Sequence, residues 1–348
     1  MKQPVVLITG GAGFLGHNLC RYLLAKGYRV RSIDIAPFEY ADLAKSVDVH
    51  QGSICDSALL DKAMDGVDIV VHCAAALPSW KKEDIISSNV DGHRKVMEMA
   101  LHKKVKRVIH ISSTAVYGIP DHAPLVEDDK KKGVGWYGKT KIIGDALCEE
   151  YRSKGLCVSV LCPVTFLGPG RLGIFSVLYD WINRGKNIPL IGNGSNKYQL
   201  LDVEDLNYAI SLCMTLPERK VNDYFVIGAE VFGTMHEDFG ALVTFAGHGK
   251  HIITTPAWAV ISCLRILEVL KLSPIYRWVY ECAVKNCYVS NDHIKQKIGW
   301  KARYSNQDTL IRTYQWYLEH RNEFNNTSGV THRFPWKLGA LKLFRRFF

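Results

Sequence analysis

The sequence predicts an α/β fold in which helices cover both faces of a doubly wound parallel sheet, with a smaller mixed α/β lobe beside it. Three observations predict it. Short runs between residues 4 and 163 are continuously apolar, as strands buried on both faces require. Helical stretches separate these runs, and the alternation weakens beyond Pro163, where glycine and proline become frequent. We therefore expect a sheet domain at 1–163 that later segments complete, an interleaved substrate lobe at 164–320 and a basic amphipathic tail at 321–348.

The predicted elements alternate in the order strand, helix, strand. Strands are expected at the apolar runs, at 4–9, 29–34, 68–72, 107–112 and 157–162. Helices are expected at 13–26, 84–103 and 136–153. This order builds βαβ units, whose parallel strands present their carboxyl ends at one edge of the sheet. Functional residues are therefore expected just after the strands.

The composition is that of an ordinary globular chain, with 47% hydrophobic and 22% charged residues among 348. The ten cysteines are scattered and form no CxxC pair, so we expect reduced thiols, no metal centre and a cytoplasmic location. Half of the net charge of +10 comes from five basic residues within the last sixteen. Because the excess is local, it argues against a nucleic-acid partner.

A glycine-rich turn follows the first predicted strand. Residues 9–16 read TGGAGFLG, which places glycines at 10, 13 and 16 where the strand ends and the helix begins. Glycines at such a turn let the backbone approach a pyrophosphate, which the helix N-terminus then stabilises. A tight turn without a ligand is the alternative interpretation. The context favours a dinucleotide-binding turn.

Asp34 ends the second strand about twenty residues after the glycines, where an acid accepts hydrogen bonds from the ribose hydroxyls of a dinucleotide. A carboxylate there repels a 2′-phosphate, and Ile35 follows instead of an arginine. The prediction is therefore NAD rather than NADP. Arg31 lies nearby with its direction left open, and a solvated strand-end aspartate is the alternative for Asp34.

Tyr137 and Lys141 lie four residues apart within a predicted helix, so their side chains share one face. A free tyrosine, with a pKa of about 10, is a poor base at neutral pH, and a neighbouring ammonium stabilises its phenolate. Such a pair is also common on solvated helix faces. Ser113 favours the catalytic interpretation, because it follows a predicted strand at the catalytic edge of the sheet.

Together these segments resemble the extended short-chain dehydrogenase/reductase family of NAD-dependent sugar epimerases, dehydratases and 3β-hydroxysteroid-type dehydrogenases. The resemblance covers most of the first 300 residues. The matching segments are TGGAGFLG at 9–16, Asp34, HCAAA at 72–76, NVDG at 89–92, SSTAVYG at 112–118, YGKTK at 137–141, Pro163, GPG at 168–170 and DVED at 202–205. They are specific for the family and far less specific for the substrate.

The resemblance implies NAD as cofactor and a role for each matching residue. It makes Tyr137 the acid/base, Lys141 the ligand of the nicotinamide ribose and Ser113 the partner of the reacting oxygen, with Thr114 as its alternative. It also implies cofactor contacts for Gly10, Gly13, Phe14, Leu15, Gly16, Asp34, Ser53, Ile54, Ala74, Ala75, Asn89, Tyr137, Lys141 and Pro163. For Asn89 and Pro163, turn geometry alone is an equal alternative.

The implied chemistry is reversible oxidation of a hydroxyl, with Tyr137 taking the proton and NAD the hydride. Return of the hydride to the other face of the ketone gives epimerisation, whereas release of the ketone gives oxidation. Thr114 and Ala115 stand where the family's dehydratases carry an Asp-Glu pair, which argues against a 4,6-dehydratase. We expect an NAD-dependent epimerase of a nucleotide-linked or lipid-linked sugar. A 3β-hydroxysteroid-type or lipid alcohol dehydrogenase and a non-catalytic NAD-binding scaffold are the alternatives.

Two positions depart from the nucleotide-sugar pattern. Tyr198 stands where such epimerases carry an arginine that clamps the substrate pyrophosphate, and the adjacent Lys197 is a less specific substitute. Cys162 stands where relatives usually have an arginine before the proline. Both changes are compatible with a sterol-like or lipid-linked substrate. Thr114, Lys197 and Tyr198 are therefore the candidate substrate contacts.

Two segments leave membrane contact open. The apolar stretch Pro256 to Leu272 is shorter than the ~20 residues that span a bilayer. Projected as a helix, the tail has an apolar face of Trp336, Ala340, Leu343, Phe344 and Phe347 and a basic face of Lys342, Arg345 and Arg346. Such a helix can lie on an anionic membrane or equally pack on protein. The expected partners are thus a small-molecule substrate, a membrane surface through this tail and, by the resemblance, a second copy in a homodimer.

Overall fold

The computed structural model describes residues 3–270 and 277–324, and within them eleven strands and thirteen α-helices. The strands are β1 (Val5–Thr9), β2 (Arg29–Asp34), β3 (Val47–Gln51), β4 (Ile69–His72), β5 (Arg107–Ile111), β6 (Val158–Pro163), β7 (Thr165–Leu167), β8 (Ile188–Ile191), β9 (Leu200–Asp202), β10 (Tyr224–Ile227) and β11 (Ile252–Thr255). The helices are α1 (Phe14–Ala25), α2 (Ser57–Met64), α3 (Lys82–Ile86), α4 (His93–His102), α5 (Gly135–Ser153), α6 (Ile174–Asn183), α7 (Val203–Thr215), α8 (Glu218–Val221), α9 (Met235–Ala246), α10 (Ala257–Val269), α11 (Arg277–Cys282), α12 (Asp292–Ile298) and α13 (Asn306–His320).

Seven strands form one parallel sheet in the order β10-β6-β5-β4-β1-β2-β3. The chain runs outward from β1 to β3 and then returns to place β4 on the other side of β1. This reversal opens a crevice at the carboxyl ends of β1 and β4. The predicted doubly wound parallel sheet is confirmed, and its last strand comes from residues far beyond Pro163.

Apolar side chains on the two faces of the sheet form two separate cores. One core packs α1 and α7 against the sheet, through residues such as Leu19, Leu23 and Ile210. The other packs α2, α4 and α5, through residues such as Leu60 and Val96. Because helices cover both faces, the inner strands are mostly apolar, and β1, β4 and β6 are buried throughout.

A third core lies in the lobe built by α6, α9 and α13. Its largest members are aromatic, with Tyr179 and Tyr314 fully buried and their ring centroids 5.8 Å apart. Two short parallel pairs, β8 with β11 and β7 with β9, connect this lobe to the sheet. None of the helices in the described ranges combines the length and the apolar composition that crossing a bilayer requires.

Two regions differ from the predicted elements, and one prediction falls outside the described residues. The edge strand β3 and helix α2 had no predicted counterpart. The strand was missed because it reads VDVHQ and is largely exposed. The predicted helix at 84–103 is divided by a π-helical turn at Ser87–Gly92. Residues 325–348, which hold nearly all of the predicted amphipathic tail, lie outside the described residues.

Candidate active site

The predicted glycine turn lines the crevice at the carboxyl end of β1. Gly10 has a φ of +73°, and a Cβ there would lie 2.8 Å from the backbone of Ala74. A Cβ on Gly16 would lie 2.2 Å from the carbonyl oxygen of Gly10. Gly13 caps α1 without a side chain, so the first backbone N–H groups of the helix remain available to an anion. The turn therefore requires glycine and forms a cradle that fits a diphosphate.

Asp34 lies at the end of β2, on the wall of the same cleft. Its carboxylate accepts hydrogen bonds from the backbone N–H groups of Ala12, at 3.0 Å, and Ala36, at 2.9 Å. These bonds hold the carboxylate beside the glycine turn. The side chain of Arg31 pairs with Asp48 at 2.7 Å and is absent from the cleft lining, so its guanidinium is engaged outside the cleft. This arrangement suits a ribose with free hydroxyls.

Tyr137 and Lys141 line the cleft at its other end, together with Ser113. The Lys141 Nζ lies 5.9 Å from the centre of the Tyr137 ring and donates to the Ile111 carbonyl at 2.8 Å. Ser113 caps the 3₁₀ turn Thr114–Tyr117, where its Oγ accepts from the Ala115 N–H at 3.3 Å. The structure thus brings the three predicted catalytic residues into one cleft, with the ammonium fixed by the last residue of β5.

Most of the predicted cofactor residues line this cleft, which encloses about 490 Å³. The lining includes Gly10, Gly13, Phe14, Leu15, Gly16, Asp34, Ser53, Ile54, Ala74, Ala75, Tyr137, Lys141 and Pro163. We call the part formed by 10–16, Asp34, 53–54 and 74–75 the cofactor wall. A dinucleotide fits this lining, because the diphosphate cradle, the ribose acid and the catalytic pair follow one another along it.

Asn89 is buried behind the cleft rather than on its surface. Its Oδ1 accepts from the Ala76 N–H at 2.8 Å, and its Nδ2 donates to the Thr140 Oγ1 at 3.2 Å. The side chain therefore ties the loop after β4 to the helix that carries Tyr137. Asn89 therefore positions these two segments, and its side chain does not line the cleft where it could contact the cofactor directly.

A buried acid network supports the catalytic edge and had no sequence prediction. The Asp145 carboxylate, one helical turn beyond Lys141, accepts from the Ser112 Oγ at 2.6 Å and pairs with the Lys131 Nζ at 2.6 Å. The Tyr224 hydroxyl completes it at 3.1 Å. Cys162 lies buried in the same region, and burial raises its pKa to about 12. Cys162 is therefore a neutral core residue, which explains how a thiol occupies this position.

Three histidines stack beneath the catalytic lysine. His93 lies between His110 and His72, with ring centroids 4.3 and 4.4 Å away. Burial lowers the pKa of all three, that of His72 to about 3, so they are neutral. One nitrogen from each of the three rings lies within 4.8 Å of the others, a spacing that a metal site could use. The rings of His93 and His110 are, however, stacked within 19° of parallel, so the in-plane lone pairs of these two rings do not converge on one metal position. The three rings therefore pack against one another in the core near Lys141.

The predicted substrate residues separate into two groups. Thr114 lines the cleft as expected. Lys197 is exposed and lies outside the cleft, with its Nζ 5.9 Å from the ring of Phe232. Tyr198 lines a small adjoining cavity behind Thr165, whose Oγ1 is 3.0 Å from the tyrosine hydroxyl. Neither Lys197 nor Tyr198 therefore reaches a ligand in the main cleft as the side chains are placed.

Four further side chains that line this cleft were missed by sequence reasoning, Trp80, Phe166, Arg171 and Trp278. We call them the substrate wall. The Arg171 guanidinium lies 5.2 Å from the ring of Phe14 and 5.7 Å from that of Phe166. The Trp80 indole nitrogen is buried and has no hydrogen-bond partner among the described residues. An arginine directly after Gly168-Pro169-Gly170 was the one signal in the sequence that could have identified this wall.

The loop that carries Arg171 packs directly on the cofactor helix. The Asn18 Nδ2, on α1, donates to the Pro169 carbonyl at 3.1 Å. A Cβ on Gly170, whose φ is +92°, would lie 2.9 Å from the His17 ring. This close contact sets the guanidinium beside Phe14, the first residue of α1. The lobe therefore places a positive charge beside the end of the glycine cradle.

Comparison with known proteins matches the chain to one enzyme family. The model of the NAD dependent epimerase/dehydratase family matches residues 6–228. A protein from Sinorhizobium fredii, y4nG, is 31% identical over 339 residues, covering 97% of this chain and 84% of its own. UDP-glucose 4-epimerase from Halalkalibacterium halodurans is 29% identical over 347 residues, covering 92% of this chain and 97% of its own.

Two further similarities bear on the fold and on the substrate class. Sterol-4-alpha-carboxylate 3-dehydrogenase from Mus musculus is 31% identical over 212 residues, covering 59% of this chain and 58% of its own. The crystal structure of UDP-glucose 4-epimerase from Thermotoga maritima superposes with a TM-score of 0.76 at 22% identity, covering 91% of this chain and 99% of its own. That likeness establishes the shared fold.

Proposed function

The chain belongs to the NAD dependent epimerase/dehydratase family and is an NAD-dependent enzyme, and from that premise we propose that it epimerises a sugar carried on a nucleotide or lipid diphosphate. The observation that carries the proposal is the loop bearing Arg171, which packs on the first turns of α1 and places its guanidinium beside Phe14, next to the diphosphate cradle. An epimerase regains its oxidised cofactor within each turnover and has no need to exchange it, whereas a dehydrogenase must release NADH every time. A positive charge held beside the cradle suits retention of the cofactor.

The residues of the cleft supply the proton chemistry. The Tyr137 phenolate takes the proton of the sugar hydroxyl, and Lys141, fixed by the Ile111 carbonyl, stabilises the negative charge on the phenol. Ser113 donates a hydrogen bond to the developing carbonyl oxygen. When bound, NAD would supply the hydride acceptor for the carbon that carries this hydroxyl, and its reduced form would supply the hydride for the return step. After the ketone presents its other face, Tyr137 returns the proton and the epimer is formed.

Gly10, Gly16 and Asp34 would hold the cofactor during this cycle. The two glycines leave room for the diphosphate, and the carboxylate faces the ribose hydroxyls. Arg171 would then neutralise charge on the diphosphate from the opposite side. Epimerisation requires the ketone to rotate within the cleft so that its other face meets the nicotinamide. The apolar faces of Trp80 and Trp278 allow this rotation, because they do not hold the ketone in one orientation.

A second candidate is the oxidation of a sterol-like or lipid alcohol with release of NADH. The apolar surface of the substrate wall supports it, since Trp80, Phe166 and Trp278 offer much ring surface and few polar groups. The sterol dehydrogenase relative also supports it. The two candidates differ in one measurable product, because only the oxidation accumulates NADH.

The test incubates the full chain and NAD with UDP-glucose, UDP-N-acetylglucosamine, UDP-glucuronate and polyprenyl-diphosphate sugars. We expect interconversion of two epimers, seen by chromatography, without lasting absorbance of NADH. The Tyr137→Phe variant should lose turnover by about 10²–10⁴-fold and still bind NAD, while Tyr28→Phe, outside the cleft, keeps full turnover. Stoichiometric NADH with an oxidised product would instead establish the dehydrogenase, and unchanged turnover in Tyr137→Phe would remove the tyrosine from the mechanism.

A further inference from the structure

Asp145 lies on the same face of α5 as the catalytic pair. It follows Tyr137 by eight residues and Lys141 by four, so the three side chains fall within a sector of about 80° on the helix. The Asp145 side chain is only 4% exposed. It is therefore a buried carboxylate one helical turn beyond the ammonium of Lys141. A carboxylate buried in this way requires a partner, because an unpaired charge in the core is costly.

The partner of Asp145 comes from the loop that leads into α5. The Lys131 Nζ pairs with the Asp145 Oδ2 at 2.6 Å and lies 4.1 Å from the centre of the Tyr224 ring. The Tyr224 hydroxyl donates to the same carboxylate oxygen at 3.1 Å. Because Tyr224 begins β10, at the edge of the sheet, the ammonium is held between an aromatic ring and a buried carboxylate. Removing one member of such a shielded pair leaves the charge of the other uncompensated.

The other oxygen of the carboxylate holds the catalytic end of β5. The Ser112 Oγ donates to the Asp145 Oδ1 at 2.6 Å. Ser112 lies directly between two residues that the reaction uses. Before it is Ile111, whose carbonyl accepts from the Lys141 Nζ at 2.8 Å, and after it is Ser113. One carboxylate therefore ties the strand end that positions Lys141 and Ser113 to the helix that carries the proposed acid/base.

Lys131 supplies the positive charge of this network. Burial raises the pKa of the Tyr224 hydroxyl well above its usual value and that of the Cys162 thiol to about 12, so both groups are uncharged at neutral pH. On α5 itself, the next cation on the same face is Lys141. Without Lys131, the Asp145 carboxylate would attract the Lys141 ammonium, which is now fixed at the end of β5. Lys131 thus keeps two opposite charges on the catalytic helix apart.

We propose that Lys131 is a positioning residue of the reaction: by neutralising Asp145, it holds the Lys141 ammonium where proton transfer requires it. The inference rests on the proposed function, which gives Tyr137 and Lys141 the proton chemistry. It holds equally for epimerisation and for oxidation, because both begin with removal of the hydroxyl proton. Lys131 is absent from the cleft lining, so it acts on the reaction through Asp145 and not by contact with substrate or cofactor.

The kinetic test removes the ammonium with Lys131→Met in the full chain. We expect kcat to fall by about 10–100-fold, because the catalytic groups are displaced, while the Kd for NAD changes by less than about threefold. Lys131→Arg keeps the charge and should retain kcat within about threefold of the wild type. The matched control is Lys132→Met, which replaces the next lysine, paired with an aspartate that is 69% exposed, and should keep the wild-type kcat. Equal kcat in Lys131→Met and the wild type, or equal losses in Lys131→Met and Lys131→Arg, would overturn the proposal.

A second substitution separates lost charge balance from lost packing. Asp145→Asn removes the carboxylate charge and keeps an oxygen that accepts from the Ser112 Oγ. Added to Lys131→Met, it should give a kcat at least about threefold higher than that of the single variant, because no charge remains to attract Lys141. Denaturant unfolding establishes that each variant is folded under the assay conditions. If the double variant had the kcat of Lys131→Met or a lower one, the loss would come from packing alone and the proposal would be overturned.

Amide hydrogen exchange separates failure of this inference from failure of the proposed function. In Lys131→Met, the amides of residues 110–117 and 135–145 should exchange at least about tenfold faster than in the wild type, with no change in β1 or α1. A reaction that accumulated NADH would reject the epimerase and leave the comparison of kcat among the variants valid. If the wild type converted no substrate, the proposed function would fail. Unchanged exchange would then overturn the role of Lys131 as well, whereas faster exchange that Asp145→Asn relieves would support it.

Discussion

The cofactor wall is built mainly from backbone, whereas the substrate wall is built from side chains. In the former, Gly10 and Gly16 leave no space for a Cβ, and the Asp34 carboxylate is fixed by two backbone N–H groups. In the latter, Arg171 and Trp278 come from a loop and a short helix far apart in the chain. Backbone constraints restrict which residue types fit at each position, so they produce a recognisable sequence motif. A wall built from side chains can be formed by many different residues. The cleft therefore has one half whose residue types are fixed by backbone geometry and one half built from side chains that the fold constrains less.

The largest expected effect is on catalysis, where a side chain, the Lys141 ammonium, should be as necessary as glycine is in the diphosphate cradle. Lys141→Met should lower kcat by about 10²–10⁴-fold at saturating NAD, because the buried ammonium that stabilises the Tyr137 phenolate is lost. The control is Lys139→Met on the same helix, whose ammonium lies 5.3 Å from the ring of Trp136 and outside the cleft. Steady-state kinetics that gave both variants the same kcat would contradict the role of Lys141.

The second prediction tests the backbone character of the cofactor wall. Gly16→Ala places a methyl group 2.2 Å from the Gly10 carbonyl, so the turn must move. We expect about 100-fold weaker NAD binding by calorimetry and a loss of about 1–3 kcal/mol in the free energy of unfolding. Gly240→Ala is the control, because its Cβ would meet nothing within 4 Å in the described part of the chain. Wild-type NAD affinity in Gly16→Ala would show that the cradle tolerates side chains.

The same contrast explains how far sequence reasoning reached. The glycine turn, Asp34, Ser113, Tyr137 and Lys141 could be predicted, because each follows a strand or shares a helical face at a fixed spacing. The strand β3 could not, since an exposed edge strand reading VDVHQ has no apolar periodicity. The burial of Cys162 and the absence of Lys197 from the cleft depend on contacts between distant segments, which no local pattern encodes.

The stack of His72, His93 and His110 gives the sheet core an acid sensitivity that the aromatic lobe core lacks among its members. Burial keeps the pKa of each ring below its unfolded value of about 6.5, so the unfolded chain binds protons that the folded chain does not. Stability is therefore complete above pH 6.5 and falls as the pH decreases, by about 1.4 kcal/mol per pH unit for each neutral ring.

His110→Leu should therefore shift the acid limb of unfolding. Both ring nitrogens of His110 lack partners within residues 3–270 and 277–324, so an apolar side chain of similar size costs little at pH 7. In denaturant unfolding followed from pH 7.5 to 5, the two proteins should show the same slope above pH 6.5, and below it the variant's slope should be shallower by about 1.4 kcal/mol per pH unit. His248→Leu replaces an exposed histidine and should follow the wild type. Parallel curves for wild type and His110→Leu would mean that the ring is protonated in the folded chain.

The smallest expected effect concerns Arg171, because this substrate-wall residue lies next to Phe14 of the cofactor wall. Its guanidinium lies 5.2 Å from the ring of Phe14, so we expect it to retain the cofactor rather than to select the sugar. Arg171→Met should release NAD about tenfold faster, and Arg171→Lys should recover part of this loss, since an ammonium keeps the charge without the planar fork. Stopped-flow release of NADH measures the rate, with Arg184→Met, an exposed arginine paired with Asp180, as control.

The reverse result would redraw the boundary between the two walls. If NAD release were unchanged in Arg171→Met and the KM for the sugar rose instead, the guanidinium would belong to substrate recognition. The cradle would then be held by backbone and Asp34 alone, and cofactor retention would lose its structural basis. Because retention is what favours epimerisation over oxidation, this one measurement of a release rate decides how much of the catalytic outcome the lobe controls.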